Sequence, residues 1–140
     1  YSWNEGYVHA KFADIDVTID GQPADSDIGT YLATPVGQII TLGGAQSLTN
    51  LDLTVGADVE IVLDYDDVQA GQRPLDGYEV FNIFAEYRPA QYSNLSFRFD
   101  VRNLFDATYA DRATYGQEFG TVTPLYQPGR SFLISASAKF

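Results

Sequence analysis

The sequence predicts an all-β fold of about six antiparallel strands joined in up-and-down order. Apolar and polar residues alternate through several long segments, as in strands that have one apolar face. Aromatic residues make up 14% of the chain, with ten Tyr and nine Phe, and strands favour these residue types. The connections between the alternating segments are themselves alternately short turns and longer loops. Together these observations favour a sheet in which each strand pairs with the next.

The first strand is predicted over residues 1–20, with its register open near Asn4. From residue 14 onward its apolar positions are Ile15, Val17 and Ile19, separated by polar residues. A loop rich in Gly, Pro, Asp and Ser is predicted over 21–35. The second strand is then expected over 36–47.

The clearest strand signal lies in residues 51–65, which follow a short turn over 48–50. The alternation continues almost unbroken for about three times the length of an ordinary strand. Such a length is itself an unusual feature for a small soluble domain. The apolar side of this strand carries Leu51, Leu53, Val55, Ala57, Val59, Ile61, Leu63 and Tyr65. The other side carries Asp52, Thr54, Gly56, Asp58, Glu60, Val62 and Asp64.

The last half of the chain repeats this arrangement three times and ends on an aromatic residue. Phe132, Ile134, Ala136, Ala138 and Phe140 share one face of the closing strand. In chain order the predicted elements are a loop over 66–75, a strand over 77–88, a turn over 89–94, a strand from 95 to about 112, a loop over 113–127 and a strand over 129–140.

The short turns and the long loops are predicted to lie at opposite ends of the sheet. If consecutive strands pair, the turns at 48–50 and 89–94 lie at one end, and the loops at 21–35, 66–75 and 113–127 lie at the other. Outer-membrane barrels have this asymmetry, with short periplasmic turns and longer extracellular loops.

The alternation alone does not decide whether the apolar face packs in a protein core or contacts lipid. In a soluble acidic β-sandwich or clam-like ligand-binding module that face would form the core, whereas in an antiparallel up-and-down transmembrane β-barrel segment it would contact lipid. Strand length, the terminal Phe140 and aromatics near strand ends favour the barrel. The aromatics expected in a membrane-interface girdle are Tyr65, Tyr78, Tyr87, Tyr92, Tyr109, Tyr126 and Phe140.

Composition argues against several other classes of protein. The chain has 19 acidic and 8 basic residues, for a formal charge of −11, which is the wrong sign for nucleic-acid binding. It contains no cysteine, so neither disulfides nor thiolate metal sites are expected. It also contains no methionine, which leads us to expect a processed product or a piece of a longer protein.

Several short motifs in the last half of the chain occur in a distinctive order. Together they resemble the C-terminal end of TonB-dependent outer-membrane receptors, and each would be weak evidence alone. The motifs are Gly77-Tyr78-x-Val80-x-Asn82, Tyr87-x-Pro89, Val101-Arg102-Asn103-Leu104-Phe105-Asp106 followed by Tyr109, Pro128-Gly129-Arg130, and the terminal Phe140.

The resemblance implies a barrel of 22 strands in the outer membrane of a Gram-negative bacterium. This chain would supply about the last six strands (residues 1–140), and the plug domain and earlier strands would lie outside it. Its partners would be outer-membrane lipid, the barrel-assembly machinery, TonB through the missing plug, and an iron–siderophore or haem ligand. The run 113–117 is most similar to the haem and haemoglobin-utilisation branch. The resemblance implies a receptor, with no enzymatic activity and no resident cofactor.

Two groups of site residues follow from the resemblance. The barrel-assembly machinery would recognise Phe140, with Phe132 and Ile134 at alternate positions before it. The loop before the last strand would be extracellular and would be the place for ligand contact. Its candidate contact residues are Arg112, Tyr115, Gln117 and Tyr126.

Other candidate sites have simpler explanations. His9 is the single histidine, and without a partner it is expected in the lumen or at an interface. Arg98, Asp100 and Arg102 share a strand face and are expected to form a charge network in the lumen. No nucleophile elbow is present, and a barrel-type lipid enzyme would need a Ser and His pair. An acidic loop, without the spacing of a Ca²⁺-binding EF-hand, is formed by Asp14, Asp16, Asp20, Asp25 and Asp27.

Overall fold

A single antiparallel sheet dominates the computed structural model, which describes residues 1–3, 5–16, 18–19, 21–23, 36–114 and 116–139. Seven strands form this sheet, and two further strands of two residues each pair with one another separately. The strands are β1 (Ser2–Trp3), β2 (Gly6–Ile15), β3 (Thr18–Ile19), β4 (Gln22–Pro23), β5 (Gly37–Leu48), β6 (Leu53–Val62), β7 (Tyr78–Tyr87), β8 (Leu95–Arg102) and β9 (Ser131–Ala138). Single 3₁₀ turns occupy Thr49–Leu51 and Ala90–Tyr92.

The strand order confirms the predicted up-and-down arrangement. The sheet runs β1-β2-β5-β6-β7-β8-β9, and every neighbouring pair is antiparallel. Six of these strands are long, as expected, and β1 adds two residues at the edge. Among the residues that the structure describes, no helix is long and apolar enough to cross a membrane.

The connections divide between the two ends of the sheet as predicted. The 3₁₀ turns that join β5 to β6 and β7 to β8 lie at one end, which we call the turn end. The connections from β6 to β7 and from β8 to β9 lie at the other end, which we call the loop end. We name these long connections loop A (63–77) and loop B (103–130).

Most side chains on the apolar face of the sheet are exposed. Phe97 pairs with Ala136, and Phe99 pairs with Ile134, so apolar side chains line up across strands on this face. Ile134 is 83% exposed and Phe132 is 65% exposed. In the described part of the chain no second layer covers these residues, so the arrangement is that of a barrel wall and differs from the sandwich alternative. The buried apolar side chains are Val62, Tyr65, Leu75, Val80 and Val101.

The first predicted strand is wrong in its bounds. The chain turns back after Trp3, which pairs with Gly6, and β2 then runs only to Ile15. A side chain at Gly6 would collide with the carbonyl oxygen of Ala45 on β5, so a glycine allows this close hairpin. Ile15 pairs with Gly37, on the face that also carries His9, rather than continuing an apolar row. Val17 lies outside the described residues.

The strand predicted from 95 to about 112 ends ten residues earlier, at Arg102. Asn103 has a positive φ of 51°, which is tolerated by Asn and ends the extended chain. Its side chain then holds a turn, because Nδ2 donates to the carbonyl oxygen of Ala107 and Oδ1 accepts from the Ala107 amide, both at 2.8 Å. A side chain that satisfies backbone groups in this way competes with the strand ladder.

Candidate functional site at the loop end

The Asn-Leu-Phe-Asp motif fixes where the last strand begins. Asp106 has a positive φ of 60°, and its Oδ1 accepts a hydrogen bond of 2.7 Å from the Arg130 amide. A β-carbon at Gly129 would lie 2.5 Å from the same oxygen, so the glycine of Pro-Gly-Arg is needed for this approach. The two motifs recognised in the sequence therefore contact each other directly.

A chain of hydrogen bonds connects the same motif to the polar face of the sheet. The Asn103 amide donates to Oδ1 of Asn82 at 3.0 Å, and Nδ2 of Asn82 donates to Asp58 at 2.7 Å. On the apolar side, the ring of Phe105 meets that of Phe81 edge-on, with centroids 5.1 Å apart. The start of loop B is thus attached to β6 and β7 on both faces.

Each long loop closes on itself. The backbone amides and carbonyls of Tyr65 and Leu75 form two hydrogen bonds of 2.9 Å across the neck of loop A. In loop B, Ala110 pairs with Tyr126, and the Gln127 amide donates to the Tyr109 carbonyl at 2.8 Å. Both loops therefore start and end in ordered hydrogen-bonded pairs.

Arg112 of loop B is buried in the neck of loop A. It is 2% exposed, and its Nη2 donates to the carbonyl oxygens of Leu63 at 2.6 Å and Asp76 at 3.2 Å. Its backbone amide donates to the hydroxyl of Tyr78 at 3.3 Å. Burial lowers the pKa of the Arg112 guanidinium, while the phenol of Tyr78 and the nearby carboxylates of loop A act in the opposite direction.

Gln117 holds the tip of loop B together. It is 7% exposed, and its Nε2 donates to three carbonyl oxygens of its own loop, including that of Asp111 at 2.5 Å. Arg73 of loop A reaches the same tip, since its Nη2 donates to the Gln117 carbonyl at 2.6 Å and its amide donates to the Glu118 carbonyl at 2.7 Å. The sequence had singled out Gln117 but treated Arg73 as an ordinary loop residue.

The four candidate ligand-contact residues are therefore not gathered on one surface. Arg112 and Gln117 are buried and bind backbone groups, whereas Tyr126 is 56% exposed. Tyr115 lies outside the described residues. Ligand contact stays a prediction for all four.

A small cleft of about 150 Å³ opens between the two loops. Its walls include the rings of Tyr78 and Tyr109, whose centroids are 4.5 Å apart. Burial raises the pKa of the Tyr109 phenol, and the nearby Glu60 and Asp111 carboxylates act in the same direction, so the phenol stays neutral. The cleft is completed by Arg73, Pro74, Pro124 and Tyr126, among others.

Three of the expected girdle aromatics belong to this loop packing instead. Tyr65 is buried in the neck of loop A, and its ring lies against Gly37. Tyr78 lies on the polar face, where its hydroxyl donates to Glu60 at 3.2 Å, and the Tyr109 ring packs against its ring at an angle of 35°. The girdle prediction is therefore wrong for these three. Tyr87, exposed on the apolar face at the turn end, fits it.

The polar face forms a larger cavity of about 610 Å³ beneath loop B. The sheet supplies Asp58, Glu60 and Arg102 to its lining, and loop B supplies Tyr109 and Asp111. Carboxylates and a guanidinium on this face, opposite a bare apolar face, are the distribution expected for a wet lumen.

A charge network lies nearer the turn end of the same face. Arg98 donates to Asp100 at 2.7 to 3.0 Å, and it lies 3.9 Å from the centre of the Phe84 ring. A second carboxylate, that of Glu86, is 3.9 Å from the guanidinium. Of the network expected for Arg98, Asp100 and Arg102, the structure shows Arg98 paired with Asp100 on its own strand and close to Glu86 on the neighbouring strand, while Arg102 lines the cavity beneath loop B.

The remaining candidates form no site in the described part of the chain. The ring of His9 lies over Gly43 on the polar face, and no group of three or more His, Cys, Asp or Glu side chains there could hold a metal ion. Asp14 accepts a hydrogen bond of 3.1 Å from Gln38. Asp20, Asp25 and Asp27 lie outside the described residues. Phe132 and Ile134 are on the apolar face, Phe140 lies outside the described residues, and the assembly signal stays a prediction.

Curated relatives match the whole chain, although no family model does. The heme transporter BhuA of Brucella suis biovar 1 is 29% identical over 145 aligned residues, which cover 100% of this chain and 22% of that protein. The heme transporter BhuA of Brucella ovis is also 29% identical with the same coverage. The chain thus spans less than a quarter of the length of these relatives.

Solved structures have the same fold. The copper transporter OprC superposes with a TM-score of 0.75 at 18% identity, over 99% of this chain and 22% of OprC. The closed form of the ferric-catecholate import receptor Fiu from Escherichia coli K12 gives 0.71 at 23% identity, over 99% of this chain and 19% of Fiu. These relatives are described as transporters or as an import receptor. The comparisons agree with the resemblance found in the sequence: the whole chain is similar to part of the heme transporters of Brucella, and it has the β-barrel wall fold of OprC and Fiu.

Proposed function

We propose that this chain is the C-terminal wall of an outer-membrane receptor that imports an iron complex, with haem as the favoured ligand. The observation that carries the proposal is the match of the whole chain to proteins described as heme transporters. The sheet supports it, since one face is polar and forms a cavity while the other is apolar and bare. A wall with this distribution separates a wet lumen from lipid.

The segment has three roles in this proposal. Its strands supply part of a barrel of about 22 strands, its long loops face the outside of the cell, and its last strand carries the assembly signal at Phe140, Phe132 and Ile134. The ligand binds at the loop end together with a plug domain encoded elsewhere in the receptor. Energy from TonB then rearranges the plug. Six strands do not close a barrel, so transport needs the whole receptor.

A ferric siderophore is the second candidate ligand. An open form of the ferric-catecholate import receptor Fiu is 25% identical over 74% of this chain, with a TM-score of 0.56. Haem is favoured over it because the heme transporters match the chain over its full length with higher identity. Aromatic side chains at the loop end, including Tyr126, suit either a porphyrin or a catecholate.

Growth on a single iron source tests the proposal. The full-length receptor is expressed in a Gram-negative host that lacks its own haem and catecholate receptors, and the cells are starved of free iron. We expect growth on haem that disappears when the host's TonB gene is deleted. Growth on a ferric catecholate alone would reassign the ligand. Growth that persists without TonB would overturn the proposed mechanism.

A further inference from the structure

We infer that loops A and B are joined by a reciprocal pair of arginines and move as one lid over the polar cavity. We call the pair Arg112 and Arg73, with the carbonyl groups that they bind, the arginine clasp. Each arginine belongs to one loop and makes its hydrogen bonds to the backbone of the other. This exchange makes the two loops a single structural unit.

The first half of the clasp closes both stems of loop A. Leu63 and Asp76 lie near opposite ends of that loop, and one nitrogen of Arg112, Nη2, donates to both of their carbonyl oxygens. Removing Arg112 would therefore leave two carbonyl groups of loop A without this donor. Loop B loses its deepest anchor in the same step, since the side chain is almost fully buried.

The second half ties the tip of loop B to the outer part of loop A. Arg73 donates from its guanidinium to the Gln117 carbonyl and from its backbone amide to the Glu118 carbonyl. Gln117 in turn binds three carbonyl groups within loop B. A displacement of either loop therefore pulls on the other through short hydrogen bonds.

The hydrogen bonds of the arginine clasp are weak enough to allow the two loops to move away from the cavity as well as to cover it. Its acceptors are neutral carbonyl groups, and no carboxylate among the described residues lies within ion-pair distance of Arg112. Nη1 of Arg112 has no hydrogen-bond partner there either. A buried donor without a partner costs free energy, which limits the stability of the closed state.

Loop B places this unit over the polar cavity. Tyr109 and Asp111, which lie just before Arg112 in the sequence, line the cavity together with Thr41 and Glu60 of the sheet. An outward movement of the joined loops would therefore expose the polar face to the outside. The clasp makes that movement a property of both loops together.

Distance measurements between the loops test the inference in the full-length receptor in detergent. The segment contains no cysteine. Once any cysteine elsewhere in the receptor is replaced, spin labels can be placed specifically at Ala70 and Thr121, which are exposed positions in loops A and B. We expect a narrow distance distribution that widens in Arg112→Gln and in Arg73→Gln. The matched control is Arg130→Gln, since it removes the same charge from an exposed side chain at the loop end, and it should leave the distribution narrow.

A second measurement separates a joined lid from a general loss of structure. A cysteine at Thr41, in the wall of the cavity, should react with a bulky charged maleimide faster in the Arg112→Gln background than in the Arg130→Gln background. A distribution that stays narrow in Arg112→Gln overturns the inference. If Arg112→Gln does not insert into the membrane, Arg73→Gln is measured instead, and a distance distribution that stays narrow in that variant overturns the inference.

Discussion

The wall and the loop end of this segment are stabilised by different kinds of interaction. In the wall, identical backbone pairing repeats from strand to strand, and the apolar face is exposed to its surroundings. At the loop end, single polar side chains such as Asn103 and Arg112 are buried and bind specific backbone groups. We expect the wall to tolerate exchange among apolar residues, because the lipid contact proposed for it requires hydrophobicity rather than shape. The loop end depends on individual donors and acceptors.

The difference also concerns which solvent each region needs. We expect the wall to be stable where its exposed face meets an apolar medium, since no protein layer in the described part of the chain covers side chains such as Ile134 and Phe132. The loop end contains its own small core, with Tyr65, Leu75 and Arg112 buried between the loops. We therefore expect substitutions in the wall to act through membrane insertion and substitutions in the loops to act through local order.

The largest expected effect concerns Phe140, which the alternation of the sequence places on the apolar side after Phe132 and Ile134. Deletion of Phe140 from the full-length receptor should remove most of the protein from the outer membrane, because the assembly machinery would lose its recognition residue. The amount of receptor in isolated outer membranes measures this. Lys139→Ala is the control, since Lys139 directly follows β9 and falls among the polar positions of the sequence alternation. Normal assembly after deletion would refute the signal.

A charge on the apolar face of the wall should have the next largest effect. Ile134→Lys places a cation against lipid near the middle of β9, and such substitutions cost about 2–4 kcal/mol at the bilayer midplane. Leu133→Lys is the matched control, because Leu133 lies on the polar face opposite Asp100, where a cation is favourable. Urea unfolding in lipid vesicles compares the two. Equal losses of unfolding free energy would contradict the assignment of the faces.

The sequence predicted the wall far better than the loop end, for a physical reason. A period of two is imposed on every residue of a strand that separates water from lipid, so segments such as 53–62 show it without any alignment. The contact of Arg112 with Leu63 joins residues 49 positions apart through a carbonyl group, which every residue has. No residue pattern records such a contact.

Residue type misled the prediction where one type serves two purposes. Tyrosine is suited to a membrane interface and equally to a half-buried position with a hydrogen-bonded hydroxyl. Tyr87 is exposed on the apolar face and fits the first position, and Tyr78 occupies the second. The two occupy opposite ends of β7, so position at a strand end did not distinguish them, and only the face of the strand did. Arg112 was named as a candidate ligand contact because its loop was expected to be extracellular, whereas its side chain is buried against loop A.

A smaller effect is expected at the junction where the loop end meets the wall. Asp106→Ala removes the acceptor for the Arg130 amide, and hydrogen bonds to charged groups contribute about 1.5–3 kcal/mol. It also puts alanine at a positive φ, which adds strain. Asp106→Asn keeps an acceptor and a residue that tolerates this backbone conformation, so it should lose less than half as much stability as Asp106→Ala by urea unfolding.

Hydrogen exchange tests whether this effect is local. Since Asp106 holds the first residues of β9 in place, exchange at Ser131 and Phe132 should rise in Asp106→Ala while exchange in the middle of β6 stays the same. Exchange that rises equally in both strands would mean that the junction stabilises the whole wall, and the two regions would then be less independent than their chemistry indicates.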